Sequence, residues 1–361
     1  MIVCEGRSPE ANTLPKQQPC PEGTGLLIRI TDRTLSCVDD RSSDKSALIR
    51  FLQFLLKMDP GAIELSEKMY HLLSPLPEYP SYILRIENPA DAKKYPDIME
   101  FICRNVPASA PVDAREKIRA EISLNNTLKT PCETIARYAG YTKVRVQGLD
   151  NIMCDDYMRA FEYLKKSFNS SSNPERIEFC PRNHFNCATA LAAEWIISGS
   201  GSYIVTSFGG IGGFAPTEEL IMILREYRLR GENKIYKFFP EMARLFHRLT
   251  RKNVNPNKPI IGSGIFHVES GVHVDGILKQ PKCYEPFAPE IVGQKRKIVL
   301  GKYSGTASII AKLSEYDIKC SQERIPHILE QIKNKAVEEN GEVSDMEFVK
   351  LLQKQLQKGA S

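Results

Sequence analysis

The chain has 361 residues, 42% of them hydrophobic and 26% charged, with a formal net charge of +5 at pH 7. These values are ordinary for a globular protein with one large domain and a smaller appended part. Basic and acidic residues are interspersed, and no apolar run approaches the roughly 18–20 residues of a membrane span, so neither nucleic acid nor a membrane is an expected partner.

The first segment, residues 1–24, is rich in Pro, Gln and Glu and is predicted to be a mobile leader. It lacks the charged start and the long apolar core of a signal peptide. The ten cysteines of the chain are scattered and form no CxxC pair, a pattern typical of reduced thiols. We therefore expect a cytoplasmic protein without a disulfide framework.

Beyond the leader, apolar runs rich in β-branched residues alternate with segments of helical periodicity. The runs predict seven strands, at 25–35, 62–66, 82–88, 120–126, 142–148, 176–181 and 203–210. Helices are predicted between most of them, including one capped by Asp44, one over 91–105 and one over 155–168. This alternation favours a TIM-like (β/α) barrel over residues 25–233. A doubly wound open sheet is the alternative, although no GxGxxG follows the first strand.

The rest of the chain is predicted to be a helix and linker over 234–265 and a small α/β C-terminal subdomain with helices over 266–361. Its most distinctive stretch, 266–305, reads FHVESGVHVDGILKQPKCYEPFAPEIVGQKRKIVLGKYSG. Here His273 and Asp275 stand between two glycines, which permit close backbone approach. A histidine titrates near neutral pH, which suits proton transfer. The alternative is a loop histidine without a chemical role.

Three pieces of this stretch, ESGVHVDGILK, YEPFAPEIVG and LGKYSG, resemble the C-terminal subdomain of homocitrate synthases, above all of the nitrogen-fixation type. With the isopropylmalate synthases, these enzymes form a family of TIM-barrel, metal-dependent acyltransferases. The resemblance implies that His273 takes part in proton transfer at a neighbouring subunit's barrel, with Asp275 as an orienting or acid–base partner. It also makes Arg296 a candidate for contacting an anionic substrate or the phosphates of CoA, the alternative being a solvated surface charge.

The resemblance also locates the family's barrel motifs, which have lost their working side chains. In the first, DxTLRDGEQ, the position of the catalytic arginine holds Ser36 and that of the metal-binding carboxylate holds Cys37. In the second, HxHND, the metal-ligating histidine positions hold Cys180 and Arg182. We therefore predict that this chain binds no metal itself. A rival hypothesis makes Cys37, Cys180 and His184 a zinc site, while buried cysteines behaving as small hydrophobic residues are the simpler interpretation.

The third motif, NGxGERxGN, falls on residues 209–217, where Gly210, Ile211, Gly212 and Ala215 alone stay in register. In the related barrels a further strand and helix also lie between the equivalents of 142–148 and 176–181. Because only seven strands are predicted, one βα unit could be truncated at that place.

A degenerate barrel beside an intact C-terminal stretch resembles the omega-type chain of two-chain homocitrate synthases. The resemblance implies a homologous, catalytic alpha-type subunit that holds the divalent metal and the 2-oxo-acid pocket. His273 would complete that site for the condensation of acetyl-CoA with 2-oxoglutarate to homocitrate. The alternatives are a regulatory or scaffolding pseudoenzyme, a subunit of an isopropylmalate- or citramalate-type acyltransferase, and an independent enzyme rebuilt around Cys37 and Cys180.

Overall fold

A computed structural model describes residues 28–38, 44–79, 81–104, 106–107, 117–123, 137–138, 140–148 and 176–358, with side chains up to residue 354. The leader predicted at 1–24 and the helix predicted at 155–168 lie outside these residues.

Eight parallel strands form a closed barrel in which each strand pairs with the next along the chain. They are β1 (Arg29–Asp32), β2 (Gly61–Ser66), β3 (Tyr82–Ile86), β4 (Glu100–Arg104), β5 (Ile118–Ser123), β6 (Lys143–Gly148), β7 (Ile177–Pro181) and β8 (Tyr203–Thr206). Strand β1 closes the barrel, because Ile30 is in register with Gly61 on one side and with Ile204 on the other. The predicted TIM-like barrel is confirmed, and the open-sheet alternative is wrong.

The predicted count of seven strands is one short, because β4 lies inside the segment 91–105 that the sequence suggested to be a helix. Three consecutive residues of this strand are buried, and a short apolar run does not distinguish a strand from a buried helix by periodicity. Strand β6 pairs directly with β7, with Val146 opposite Phe179. The expectation of a truncated βα unit at this place is therefore wrong as far as the strands are concerned.

The helices around the barrel bury apolar faces against it. The described ones are α1 (Thr34–Cys37), α2 (Lys45–Met58), α3 (Glu67–Leu73), α4 (Ala188–Ile197), α5 (Thr217–Glu226) and α6 (Phe239–Thr250). Helix α2 begins as predicted, with the Asp44 carboxylate accepting a hydrogen bond from the Ala47 N–H at 3.0 Å. Among the described residues, no helix is both long enough and apolar enough to cross a bilayer.

The C-terminal part contributes to two separate cores. Ile260, Ile261, Phe266 and Val292 belong to the barrel's own hydrophobic core. From Leu300 onward, apolar side chains form a second core between helices. The elements of this part are β9 (His267–Val268), α7 (Gly271–Lys279), β10 (Lys297–Ile298), α8 (Thr306–Glu315), α9 (Ile325–Glu338) and α10 (Asp345–Lys358). Strands β9 and β10 pair in parallel, with Lys297 in register with His267. The region therefore adds its early apolar residues to the barrel core and forms a core of its own from Leu300 onward.

Candidate functional site

The interior of the barrel is filled by paired charges. Glu64 on β2, Arg145 on β6 and Glu178 on β7 are fully buried. The Arg145 guanidinium donates to both carboxylates, with 2.7 Å between its Nε and Glu178 Oε2. Burial alone would raise the pKa of Glu178, but Arg145 and Arg119 outweigh it and lower the pKa to about 2. These carboxylates are therefore ionised and satisfied within the chain.

A second layer of charges lies against the first. Arg85 donates to Glu64 at 2.8 Å and to Glu121 at 2.7 Å. Arg33, the residue before the first barrel motif's threonine, lies 3.7 Å from Glu64 and 3.8 Å from Glu121. Ser36, at the position of the family's catalytic arginine, donates to Glu64 at 2.9 Å. The space in which the related enzymes are expected to act is thus occupied by this chain's own ion pairs.

The positions of the family's metal ligands lie in an apolar cluster. Cys37 and Cys180 pack with Val205 and Phe214. Two guanidiniums lie over the Phe214 ring, that of Arg33 at 4.0 Å and that of Arg182 at 4.6 Å from the ring centroid. Burial raises the pKa of Cys180 to about 12, so its thiol stays protonated. Protonated thiols beside two permanent cations do not suit a divalent metal ion.

The rival zinc site is not assembled. His184 is exposed, whereas Cys180 is fully buried. Within the described ranges, no group of three His, Cys, Asp or Glu side chains is arranged to hold a metal. The packing agrees with the simpler interpretation of the two cysteines as small buried hydrophobic residues. That this chain binds no metal or other cofactor stays a prediction.

The candidate site in the C-terminal part is a cavity of about 290 Å³ beside α7. His273 on α7 is exposed at the cavity, and its ring centroid lies 5.6 Å from that of Tyr284. The polar side chains of the lining are His267, Glu269, His273, Tyr284 and Glu285, and the apolar ones are Ile265, Phe266, Val268 and Ile277. A lining of apolar side chains with a few polar groups is the usual composition of a ligand site.

Two glycines bring together the motifs of this region that resemble the family. Gly271 and Gly305 touch, since a Cβ built on Gly271 would lie 2.5 Å from Gly305 Cα. Glu269 completes the junction, because its Oε1 accepts from the Tyr303 N–H at 2.8 Å and its carbonyl oxygen accepts from Ser308 Oγ at 3.0 Å. The segments that resemble the family therefore meet in space around His273.

The other two predicted site residues are paired with charged side chains of this chain. Asp275 accepts a hydrogen bond from Lys279 at 2.7 Å. It lies two residues from His273 on a helix with 3.6 residues per turn, so the two side chains leave the axis in roughly opposite directions. Arg296 makes two hydrogen bonds to Glu285, at 2.7 and 2.6 Å, which raise the pKa of Arg296. Of the three, only His273 lines the cavity, and the roles predicted for the other two remain predictions.

Sequence reasoning missed most of the polar residues around His273. Tyr284 was part of a quoted motif but stands eleven residues further along the chain, where the helical period gives no hint of contact. The glycine at position 276, inside the predicted motif, was the one sequence feature that pointed to a close neighbour. In the folded chain a side chain there would collide with the Tyr284 ring. His267 and Glu285 carried no local signal, since β9 and the turn after α7 bring them together only in the folded chain.

Comparison with known proteins agrees with the motifs. The family described as "Homocitrate synthase post-HMGL domain-like" matches residues 260–340. The omega subunit of homocitrate synthase from Clostridium pasteurianum is 27% identical over 351 residues, covering 91% of this chain and 96% of that protein. The homocitrate synthase AksA of Methanothermobacter thermautotrophicus is 36% identical over 202 residues, covering 54% of this chain and 51% of that protein.

The chain is also similar to proteins with other names than homocitrate synthase. The 2-isopropylmalate synthase of Methanocaldococcus jannaschii is 32% identical over 228 residues, covering 60% of this chain but 43% of that protein. This chain thus spans about half of the AksA protein and less of the isopropylmalate synthase. Among solved structures, the HMG-CoA lyase of Bacillus subtilis aligns with a TM-score of 0.49 at 12% identity, covering 63% of this chain and 95% of that one. The chain is thus similar to homocitrate synthases and isopropylmalate synthases, and its residues 260–340 match a domain of the homocitrate synthases.

Proposed function

We propose that this chain is an omega-type subunit of a two-chain homocitrate synthase and that it lends His273 to the barrel of a homologous alpha-type subunit. One contrast carries the proposal. The chain's own barrel is filled by buried ion pairs such as Arg145 with Glu178, whereas His273 is exposed at a preformed cavity. The relative from Clostridium pasteurianum, which matches along nearly its whole length, carries the name of an omega subunit.

The reaction proposed for the pair is a Claisen-type condensation. The methyl group of acetyl-CoA loses a proton, the resulting carbon nucleophile adds to the keto carbon of 2-oxoglutarate, and water cleaves the thioester to give homocitrate and CoA. A divalent metal that acts as a Lewis acid is expected on the partner subunit, not here. His273 would move a proton at the shared site, a role for which an exposed imidazole is chemically suited.

The basic side chains of the C-terminal part would bind the substrate and take no part in the reaction itself. Lys279, Lys295 and Lys302 are exposed in the same C-terminal part of the chain and would offer positive charge to the CoA phosphates. Arg296 could join them only by exchanging its bidentate bond to Glu285 for an anionic ligand. Among the described residues, Cys37, Cys103, Cys180, Cys187, Cys283 and Cys320 are free thiols, which suits the cytoplasm as the proposed location.

The test is reconstitution with an intact alpha-type barrel. His273→Ala should assemble normally and lower turnover by two orders of magnitude or more, the scale of general acid–base catalysis (about 10²–10⁴-fold). The matched control is His327→Ala, on an exposed face of α9. Full turnover by the His273→Ala pair, or ordinary turnover by this chain alone, would show the proposal to be wrong.

A second candidate is a scaffolding pseudoenzyme of the same family that binds a homologous barrel without lending it a residue. The observation that favours it is the pairing of Asp275 with Lys279 and of Arg296 with Glu285, which ties both predicted helpers of His273 within this chain. Under this alternative the His273→Ala pair assembles and keeps its full activity, so the same experiment separates the two.

A further inference from the structure

A buried carboxyl group stands where the linker meets the barrel. Glu218, in the first turn of α5, is fully buried. Its Oε2 accepts a hydrogen bond from the Gly209 N–H at 2.9 Å, whereas its Oε1 is buried without a hydrogen-bond partner. Gly209 belongs to the mouth loop, residues 207–216, which follows β8 at the carboxyl end of the barrel. Glu218 therefore holds this loop through one oxygen and leaves the other unsatisfied.

The linker over residues 251–265 supplies the cation that faces this carboxyl group. Lys258 Nζ lies 2.8 Å from Glu219 Oε1 and 3.6 Å from Glu218 Oε1. Glu219 also accepts from Thr189 Oγ1 on α4 at 2.7 Å. Two carboxyl groups thus share one ammonium, and the shorter bond goes to Glu219. The cluster is electrically neutral only when Glu218 carries a proton.

Buried residues and hydrogen bonds connect the linker to the segment that leads to the candidate site. Ile260 and Ile261 are buried in the barrel core two and three residues after Lys258. Gln294, which follows the buried Val292, donates to the carbonyl oxygens of Ile260 at 3.2 Å and Gly262 at 2.9 Å. If Lys258 separates from the two carboxyl groups, the movement of the linker therefore affects the segment that leads to β10 and the cavity.

We propose that Glu218 and Lys258 form a proton-controlled latch that fastens the linker to the mouth loop, closed while Glu218 is protonated and weakened when it is ionised. The latch is a property of this chain alone and does not rest on the proposed function. The charged groups that face Glu218 are Lys258 from the linker and Glu219 from its own helix, and the Gly209 N–H faces it from the mouth loop.

The direction of the response follows from linkage. Burial raises the pKa of Glu218 to about 7, against an ordinary value of 4.5, because Lys258 compensates only in part. Opening returns the carboxyl group to water, where it ionises at its ordinary pKa, so opening releases a proton between these two values. The opening equilibrium then rises by up to about tenfold per pH unit, roughly fortyfold from pH 5 to pH 7, and levels off by about pH 8.

Hydrogen–deuterium exchange of the full chain, corrected for the intrinsic pH dependence of amide exchange, tests the latch from pH 5 to pH 8. In the wild type, the exchange of residues 255–264 should speed up by about fortyfold between pH 5 and pH 7 and level off by about pH 8. Glu218→Gln, which is neutral at every pH, should remove this dependence and keep the linker protected throughout. The matched control on the same helix is Glu226→Gln, whose exposed carboxylate bonds to Arg225.

Substitutions of Lys258 test the latch independently of Glu218. Lys258→Met should expose the linker at all pH values, whereas Lys258→Arg should restore protection, since a second cation can reach the same carboxylates. Circular dichroism verifies that each variant is folded before exchange is measured. The latch is refuted by a linker whose corrected exchange has the same pH dependence in the wild type and in Glu218→Gln. A pH response that Glu226→Gln also removes refutes it as well.

Discussion

Gly271 and Gly305 lie back to back, with room for a Cβ on neither side: a methyl group on Gly271 would lie 2.5 Å from Gly305 Cα. Through this contact the start of α7 meets the turn that begins α8, two residues from His273. The geometry of the candidate site therefore depends on two residues that carry no chemistry. Both glycines allow the two backbones to approach closely, which a side chain at either position would prevent.

Gly271→Ala should accordingly separate α7 from α8 and destabilise the C-terminal part by about 1–3 kcal/mol, the usual cost of overpacking. Urea unfolding followed by circular dichroism measures the change. Gly341→Ala is the control, because a Cβ there would meet its nearest heavy atom at an ordinary 3.7 Å. Equal losses of stability in the two variants would contradict the contact's role.

The barrel was predictable from the sequence because its strands are apolar runs separated by helical periods. What escaped prediction was the pairing between strands. Arg145 was visible in one predicted strand and Glu178 in the next, yet their partnership depends on register, which places them directly opposite each other. Glu121 is opposite Arg145 on the other side. A charge inside a strand does not reveal whether it faces solvent or a partner until the neighbour's register is fixed.

The same limit applies to the candidate site. His273 was identified because its motif is continuous in sequence, whereas Tyr284 and Glu285 reach it through a turn. Asp275, whose role as its partner the resemblance implied, lies two residues away on a helix, a spacing that directs the two side chains apart, and that role stays a prediction. Neighbours along the chain were thus a poor guide to neighbours in the cavity.

Arg145→Met tests the barrel's internal charges. Removing this cation leaves Glu64 and Glu178 buried without their main partner, so we expect a loss of about 3–5 kcal/mol in the free energy of unfolding. Lys279→Met is the control, because its ion pair with Asp275 is exposed and worth at most about 1 kcal/mol. Chemical denaturation of both variants gives the comparison. A loss below 1 kcal/mol for Arg145→Met would mean that water reaches the barrel interior.

Acidification tests the ionised state of the same network. The pKa of Glu178 is about 2 in the folded chain and near 4.5 in the unfolded one, so the unfolded state binds the proton first. The stabilisation is complete above about pH 4.5 and is lost as the pH falls toward 2, and Glu178 alone accounts for about 3 kcal/mol of it. Urea unfolding at several pH values should show this slope, and Glu178→Gln should flatten it. An unchanged slope in the variant would assign the acid sensitivity to other groups.

The thiols at the lost metal site should be inert. With its pKa raised to about 12, Cys180 has roughly a thousandfold less thiolate at pH 8 than an ordinary cysteine, and burial slows reagent access further. Cys283, which is exposed, is the internal reference. Alkylation with iodoacetamide, followed by peptide mass spectrometry, should therefore modify Cys283 at least a hundredfold faster than Cys180.

The absence of zinc binding at these thiols is a stricter test of the same prediction. A thiol that must lose a proton with a pKa of about 12, beside Arg33 and Arg182, binds a cation poorly, so stoichiometric zinc should leave the thermal unfolding temperature of the wild type unchanged. Cys180→Ser is the control for binding elsewhere. If zinc raised the unfolding temperature of the wild type but not that of Cys180→Ser, the apolar cluster around Phe214 would have to open to make a metal site. The barrel would then be a rebuilt active centre instead of a closed one.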